Sequence, residues 1–532
     1  MITMSHRISG GDFDTAGLAT RSLKEHLARL GVGAAVMRRA MIASYEAEMN
    51  VVIHARNGTL WARMDNGKLD LEVADEGPGI PDVTLALREG WSTASARARE
   101  MGFGAGMGLP NIRRNSDLFD IETRPGRGTR IRSTILLTHP VGGLVTGGLP
   151  KAVPVIESER CRKCLRCIFA CPTGALRVHA DGPMAVAALC VGCTACIGEC
   201  TSRVYGIAGQ GEGGFTVPAA EAVLVVPHGF LSGIPVGGAA RVLSALGCLG
   251  FAEVRVLEEW TAAVRTEARL SAAAGSAPLP LIPPVCPAVV ALVESRFPSL
   301  IPNLGQWLSP IEAAGEEFPL HHVYLVAACP AQDAAARGAS LTERLTVLSP
   351  AGLSSAVLGS LSAGRGSAGS DPKALGWGGA QPRAHRGEPE RVPGELVVSG
   401  VRHVMRVLAA AETGSLPGIT LLDLCLCEQG CSGSPLLTSD PFLSELSEAP
   451  VGKASDAAAV RRTRPYAQRA GARLDPDMGA AIRALGRIDE LSRTLPGRDC
   501  GACGAPTCAL LAEDLVTGRA GSSRCPFMEE TG

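Results

Sequence analysis

From residue 35 to residue 58, "AVMRRAMIASYEAEMNVVIHARNG", apolar positions recur every three or four residues, which predicts a helix that the Asn-Gly pair ends. The period then changes to two: "TLWARMD" and "KLDLEVAD" predict two strands joined by a short Asn-Gly turn, the second running into "DEGPGIPD" (75–82). "GFGAGMGLPNIRR" (102–114) is a glycine-rich loop opening a helix, and "PGRGTRIRSTILL" (125–137) a turn and a strand. Beyond residue 218, "AEAVLVVPHGFLSGIP" predicts a strand leading to a turn, and "ARVLSALGCLGFAEVRVLEE" a helix followed by a strand. This alternation implies parallel α/β halves. "PPVCPAVVALVESRFPSLIPNL" (283–304), "HHVYLVAACPAQDAA" (321–335) and "ITLLDLCLCEQGCSGSP" (419–435) follow, two of them strands that end at a cysteine. Strand carboxyl ends are where ligands converge in such sheets. Residues 485–527 begin with an amphipathic helix, continue into a cysteine loop and end with a second short helix. Residues 362–394 and 448–477 are rich in small, polar and Arg residues without an apolar period; both are expected to be linkers with little core.

The chain has 532 residues, enough for three to five domains. A net charge of -1 gives no basic footprint for nucleic acid or an anionic membrane. The start lacks a basic segment followed by an apolar stretch, and the most apolar run (279–293) is short and broken by prolines, so no signal peptide or membrane span is expected and the location should be cytoplasmic. There thiols stay reduced, so the 18 cysteines point to metal rather than disulfides. None lies before residue 140; eight fall in 161–200, six in 218–440 and four in 500–525.

In the cysteine-free head, Glu46, Asn50 and His54 share one helix face. Asp75 stands at a strand end, where Gly77 and Gly79 let the backbone turn closely, and helix N-termini suit phosphate. The order of helix Glu-x-x-x-Asn, Asp-x-Gly-x-Gly, glycine lid and Gly-x-Gly-Thr resembles the ATP-binding (GHKL) fold of histidine kinases, gyrase B and anti-sigma serine kinases, most closely the last. The resemblance covers about residues 8–138. It implies Asn50 on Mg²⁺, Asp75 on the adenine amino group, Gly104, Gly106 and Gly108 over the phosphates, Thr129 beside the adenine, and Glu46 as the base that polarises an attacking hydroxyl or water.

The eight-cysteine block repeats C-x2-C-x2-C-x3-C at Cys161, Cys164, Cys167, Cys171 and at Cys190, Cys193, Cys196, Cys200. This is the run of bacterial two-cluster ferredoxins, in which the fourth cysteine ligates the other cluster. One 4Fe-4S site is therefore expected on Cys161, Cys164, Cys167 and Cys200, and another on Cys190, Cys193, Cys196 and Cys171. Structural zinc, the alternative, uses two separated C-x2-C pairs.

Across about 218–440 the cysteine order resembles the catalytic domain of the iron-only (di-iron) hydrogenases. The resemblance implies Cys286, Cys329, Cys427 and Cys431 as ligands of a cubane, with Cys431 bridging to a two-iron subcluster. Two positions depart from that family: Val285 replaces a proton-relaying cysteine, and Gln332 replaces a lysine that holds a cyanide ligand. Cys248 and Cys425 match no role and are expected to be ordinary buried thiols. Read without the resemblance, all six are scattered core cysteines.

At the end, Cys500-x2-Cys503-x4-Cys508 with Cys525 resembles a four-cysteine cluster domain of bacterial electron-transport and corrinoid iron–sulfur proteins. It implies one more 4Fe-4S centre; zinc also suits four thiolates. Gly501, Gly504 and Pro506 should keep that loop compact so that amides approach the sulfurs.

The expected architecture is multidomain α/β and α+β: an ATP-binding α/β sandwich (1–142), a ferredoxin fold (150–212), a hydrogenase-like α/β core (215–447, with a low-complexity insert at 362–394), a linker (448–484) and a small α-helical Fe-S domain (485–532). Three functions fit: a redox or hydrogen sensor whose ATP-binding head acts on a regulatory partner, of the antagonist or phosphatase type; an electron-transferring oxidoreductase working with redox partners; and an iron–sulfur scaffold that binds ATP without turnover.

Overall fold

The first 136 residues build one antiparallel sheet backed by two helices. The elements are β1 (Ile2–Ser9), α1 (Leu18–Arg29), α2 (Ala34–His54), β2 (Asn57–Met64), β3 (Lys68–Asp75), β4 (Leu118–Thr123) and β5 (Thr129–Leu136), with strand order β1-β2-β3-β5-β4. The computed structural model describes residues 1–65, 67–94, 104, 106–137, 152–207, 222–233, 239–338, 344–363, 380–382, 392–437, 440, 448–450, 459–469, 473–520 and 523–528. In β2 every second side chain is shielded (Leu60, Ala62 and Met64 are buried), which is the period-two pattern on an amphipathic sheet. Helix α2 ends at His54, and Asn57 and Gly58 already belong to β2, where Gly58 pairs with Ile8. The Asn-Gly pair was expected to end the helix; it starts the strand instead, because Ala55 has already turned extended (φ -112°, ψ 172°). β1 and α1 were not anticipated; α1 buries Ala19, Thr20, Leu23 and Leu27.

Residues 152–207 fold as two similar halves, with helices Arg166–Ala170 and Ala195–Glu199 packed together beside the hairpin Leu176–His179/Gly182–Ala185. The next region holds the two parallel halves. One is a four-stranded sheet in the order Phe251–Val256, Ala222–Val226, Val323–Val326, Leu345–Leu348; the other pairs Glu395–Ser399 with Leu421–Cys425. The turn expected after Ala222–Val226 is a short helix, His228–Ser232. Most of 362–394 lies outside the described residues.

Of the segment expected to be a linker, the described residues 459–469 are packed against the core. Arg462 pairs with Glu312 at 2.8 Å, Arg469 with Glu294 at 2.9 Å, and the buried Tyr466 hydroxyl donates to the Trp307 carbonyl at 2.8 Å. Helix Met478–Thr494 then lays Met478, Ala481, Ile482 and Leu485 into the hydrophobic core of the head, and Ile488 and Leu491 against that of the terminal domain. An arginine-rich strap of this kind shows no apolar period because ion pairs, rather than a hydrophobic face, hold it down.

Candidate functional site

In the head, α2 packs against the short helix Gly108–Arg114. The Glu46 carboxylate accepts a hydrogen bond from the Asn111 side-chain amide at 2.6 Å, and burial raises its pKa above the ordinary carboxylate range despite that bond. One turn on, the Asn50 amide nitrogen is buried without a hydrogen-bond partner. Gly108, first residue of helix Gly108–Arg114, closes over both: a Cβ there would stand 3.0 Å from Asn50 Oδ1 and 3.4 Å from Glu46 Oε2. An orphaned N–H donor beneath a side-chain-free helix start fits a phosphate oxygen, and Oδ1 of the same side chain is the atom able to face a cation. Asp75 Oδ1 accepts from the Gly77 and Thr129 amides at 2.8 and 3.2 Å, while burial holds its pKa up. Gly79, Gly104 and Gly106 all have positive φ (72°, 81°, 75°). The sequence-predicted residues of the head thus fall into two groups, Glu46, Asn50 and Gly108 in one and Asp75, Gly77 and Thr129 in the other, and Asn111, which was not anticipated, joins the first.

In the ferredoxin-like region, one space of ≈ 330 Å³ is lined by Cys161, Cys164, Cys167 and Cys200, and another of ≈ 390 Å³ by Cys171, Cys190, Cys193 and Cys196. These are the two crossed sets expected from the spacing. The Tyr205 hydroxyl donates to Cys167 Sγ at 3.1 Å, and the Ala175 and Val204 amides to Cys171 and Cys200 Sγ at 3.2 and 3.4 Å. Burial pushes Cys190 to about 11 and Cys193 to about 12, so these thiols lose their protons only to a cationic guest.

The core cavity, ≈ 330 Å³, is lined by Cys286, Cys329, Cys425, Cys427 and Cys431, with Gln332 at its wall. Cys286 precedes helix Pro287–Arg296; Cys329 and Cys427 follow strands of the two different halves. Cys425 is thus not an ordinary core thiol but a fifth sulfur of this cavity, hydrogen-bonded to Cys286 and Cys431; its contact draws the Cys286 pKa down while Cys425 itself is pushed up. Cys248, also expected to be buried, is exposed at the end of its helix. The Gln332 amide nitrogen donates to Cys431 Sγ at 3.4 Å and its oxygen accepts from the Ala328 amide at 2.7 Å, so both ends are engaged. Cys193 lines both this cavity and the second ferredoxin one, and Thr194 Oγ1 lies 3.6 Å from Cys427 Sγ.

In the terminal domain Cys503, Cys508 and Cys525 pack on one small core, while Cys500 is exposed. Burial and the neighbouring Cys525 and Cys508 raise the Cys503 pKa. Gly504 serves a contact different from the one expected: its carbonyl accepts from the Val178 amide at 2.9 Å, and a Cβ would stand 2.1 Å from the Val178 carbonyl oxygen.

The non-glycine residues with positive φ, namely Lys163, Leu165, Thr194, Arg203, Gln429 and Asp499, all lie within or beside the cysteine loops. Such strain concentrates where loops wrap a guest. All 18 cysteines are free of disulfides, and no described helix is long and apolar enough to cross a membrane.

Comparison with known families agrees with this division. Residues 40–139 match the family of histidine kinase-, DNA gyrase B- and HSP90-like ATPases, and residues 154–177 the 4Fe-4S binding domain. Residues 219–319, which include Cys286 but not Cys329, Cys427 or Cys431, match the iron only hydrogenase large subunit, C-terminal domain; residues 495–527 match the family named "Putative Fe-S cluster". Over 121 residues the chain is 32% identical to the serine/threonine-protein kinase RsbT of Bacillus subtilis, covering 22% of this chain and 85% of the kinase. Over 94 residues it is 35% identical to the anti-sigma F factor of Caldanaerobacter subterraneus subsp. tengcongensis, covering 17% of this chain and 62% of that factor. Among solved structures, a variant of the FeFe-hydrogenase of Chlamydomonas reinhardtii superposes with a TM-score of 0.33 at 13% identity, over 50% of this chain and 88% of that one. Through its N-terminal region the chain belongs to the RsbT-like serine/threonine-protein kinase branch of the histidine kinase-, DNA gyrase B- and HSP90-like ATPases, fused in one polypeptide to 4Fe-4S, iron-only hydrogenase-like and Fe-S cluster domains.

Proposed function

We propose that this chain is a cytoplasmic redox- or hydrogen-sensing regulator in which iron–sulfur sites bias an ATP-binding, kinase-like head. The observation that carries the reading is the continuity of cysteine sites: Cys193 belongs to the walls of two neighbouring cavities, and the terminal domain abuts both the ferredoxin-like region and the head. Cys161, Cys164, Cys167 and Cys200 would hold one 4Fe-4S cluster, Cys171, Cys190, Cys193 and Cys196 a second, and Cys500, Cys503, Cys508 and Cys525 a third. Cys286, Cys329, Cys427 and Cys431 would hold the core centre. When bound, such clusters supply one-electron storage. Val285 does not line the core cavity, and Gln332 is neutral and already engaged, which disfavours rapid hydrogen turnover and favours sensing.

In the head, Asn50 would hold Mg²⁺, Asp75 the adenine, and Gly104, Gly106 and Gly108 the phosphates. Glu46, oriented by Asn111, would polarise a hydroxyl of a partner protein of the antagonist or phosphatase type. The test is anaerobic reconstitution followed by incubation with labelled ATP and candidate partners under oxidising and reducing conditions. Phosphoryl transfer or nucleotide affinity that depends on redox state is expected; neither responding would leave only an ATP-binding scaffold. The second reading, an electron-transferring oxidoreductase, is favoured by the shared Cys193 wall, and hydrogen uptake at the rate of a true hydrogenase would select it.

A further inference from the structure

The terminal domain has contacts that storage of electrons alone does not call for. Helix Cys508–Val516 begins at a proposed ligand, and its first amide donates to Asp499 at 2.6 Å. One turn and a half later it carries two adjacent buried carboxylates that face different domains. Asp514, fully buried, pairs with the equally buried Arg177 of the ferredoxin-like region, with a second contact at 3.2 Å. Glu513 pairs with Arg29 at the end of α1 in the head, at 3.4 Å. Arg519 joins the two carboxylates at 2.6 and 3.1 Å.

On the ferredoxin side, the Val178 amide that donates to Gly504 belongs to a residue lining the first cysteine cavity. The terminal site is therefore next to that cavity through one hydrogen bond. On the head side, α1 runs from Arg29 back to an N-terminus held by Glu48. The carboxylate of Glu48 accepts from the amides of Gly17, Ala19 and Thr20 at 2.9, 3.2 and 3.0 Å, and from the Thr20 hydroxyl at 2.8 Å. Glu48 is 1% exposed and stands on α2 between Glu46 and Asn50. Helix α1 thus links the terminal domain to α2, the helix that bears Glu46 and Asn50.

We propose that the four-cysteine terminal domain is the redox terminus of the chain and sets the nucleotide affinity of the head through the Glu513–Arg29 contact and α1. A low-potential one-electron donor is oxidised by one electron, and the terminal site gains one negative charge with no bond made or broken. That charge sits at the N-terminus of the helix bearing Glu513, where it interacts with the helix dipole and alters the grip on Arg29. Glu513, Arg29 and Glu48 act as positioning residues and touch no nucleotide. The inference rests on the sensing reading above.

The test uses the full chain, reconstituted anaerobically, with a fluorescent ATP analogue titrated after dithionite reduction and after dye oxidation. The wild type is expected to show affinities that differ by about five-fold or more between the two states, the ordinary range of allosteric coupling. Glu513→Gln and Arg29→Gln should each keep iron content and oxidised-state affinity but lose the difference; probing the contact from both sides guards against a folding defect in one partner. Cys500→Ser should lose the terminal iron and the difference together. If either contact variant keeps the full difference, this route is overturned while redox sensing stands. If the wild type shows no difference in affinity, this route is overturned; the sensing reading fails with it only when phosphoryl transfer to the candidate partners is also independent of redox state.

Discussion

Asn50 sits under a glycine helix start where a Cβ would press on its side chain, its amide nitrogen buried and unmatched. A buried donor without a partner costs about 1–3 kcal/mol, which an accepting phosphate oxygen would return. Asn50→Ala is therefore expected to weaken Mg-ATP binding about ten-fold or more, with the circular-dichroism spectrum unchanged; titration with a fluorescent nucleotide checks this. Glu46 is the base candidate, and burial raises its pKa. A raised carboxyl pKa delays ionisation, so phosphotransfer should climb as pH rises through that folded value, and Glu46→Gln should abolish the climb while nucleotide still binds. Gly128, at φ 85°, would place a Cβ 1.9 Å from the Asp75 carbonyl oxygen. Gly128→Ala should lower the stability of the head by about 2 kcal/mol in denaturant titration and displace Asp75 from the pocket.

At the scale of elements, polar contacts join the pieces. Arg177 and Asp514 are fully buried, and removing one partner of such a pair costs about 3–5 kcal/mol. Arg177→Met should therefore loosen the terminal helices, read as faster limited proteolysis after residue 495. Helix Met478–Thr494 meets α1 through Asp489 and His26 at 3.2 Å. Burial opposes charging of His26, but the bonds to Asp489 and the Ser22 carbonyl outweigh it and raise its pKa above 6.5. A raised histidine pKa contributes stability that is complete below the unfolded pKa and lost as pH rises through the folded value. Protection factors in helix Met478–Thr494, which correct exchange for its base-catalysed intrinsic rate, should accordingly fall as pH rises from 6.5 through the folded value, and His26→Gln should remove that fall.

For the whole molecule, four cysteine sites imply about sixteen iron and sixteen sulfide per chain if each holds a cubane. Infrared spectra of anaerobic material should lack carbonyl and cyanide bands, because Gln332 offers no cation to anchor such a ligand. Eighteen iron with those bands would establish a two-iron unit in the core cavity.

Much of this was legible in the residue order. Ligand loops are local devices: three thiols within seven residues, or Asp-x-Gly-x-Gly at a strand end, encode their geometry over a few peptide units. The triplets Cys161, Cys164, Cys167 and Cys190, Cys193, Cys196 were readable for that reason, as was the shared helix face of Glu46 and Asn50; the crossed placement of Cys171 and Cys200 followed from the resemblance to two-cluster ferredoxins. Tertiary structure decided what lies between distant segments. Asn111 reaches Glu46 across 65 residues and Arg177 reaches Asp514 across 337. Cys425 joins the core cavity because two separate parallel halves meet there. The supposed linker is held down by ion pairs, which leave no periodic trace, and the helix that follows divides its apolar face between two cores. Spacing along a chain specifies contacts within a loop, whereas contacts between loops depend on how whole domains pack.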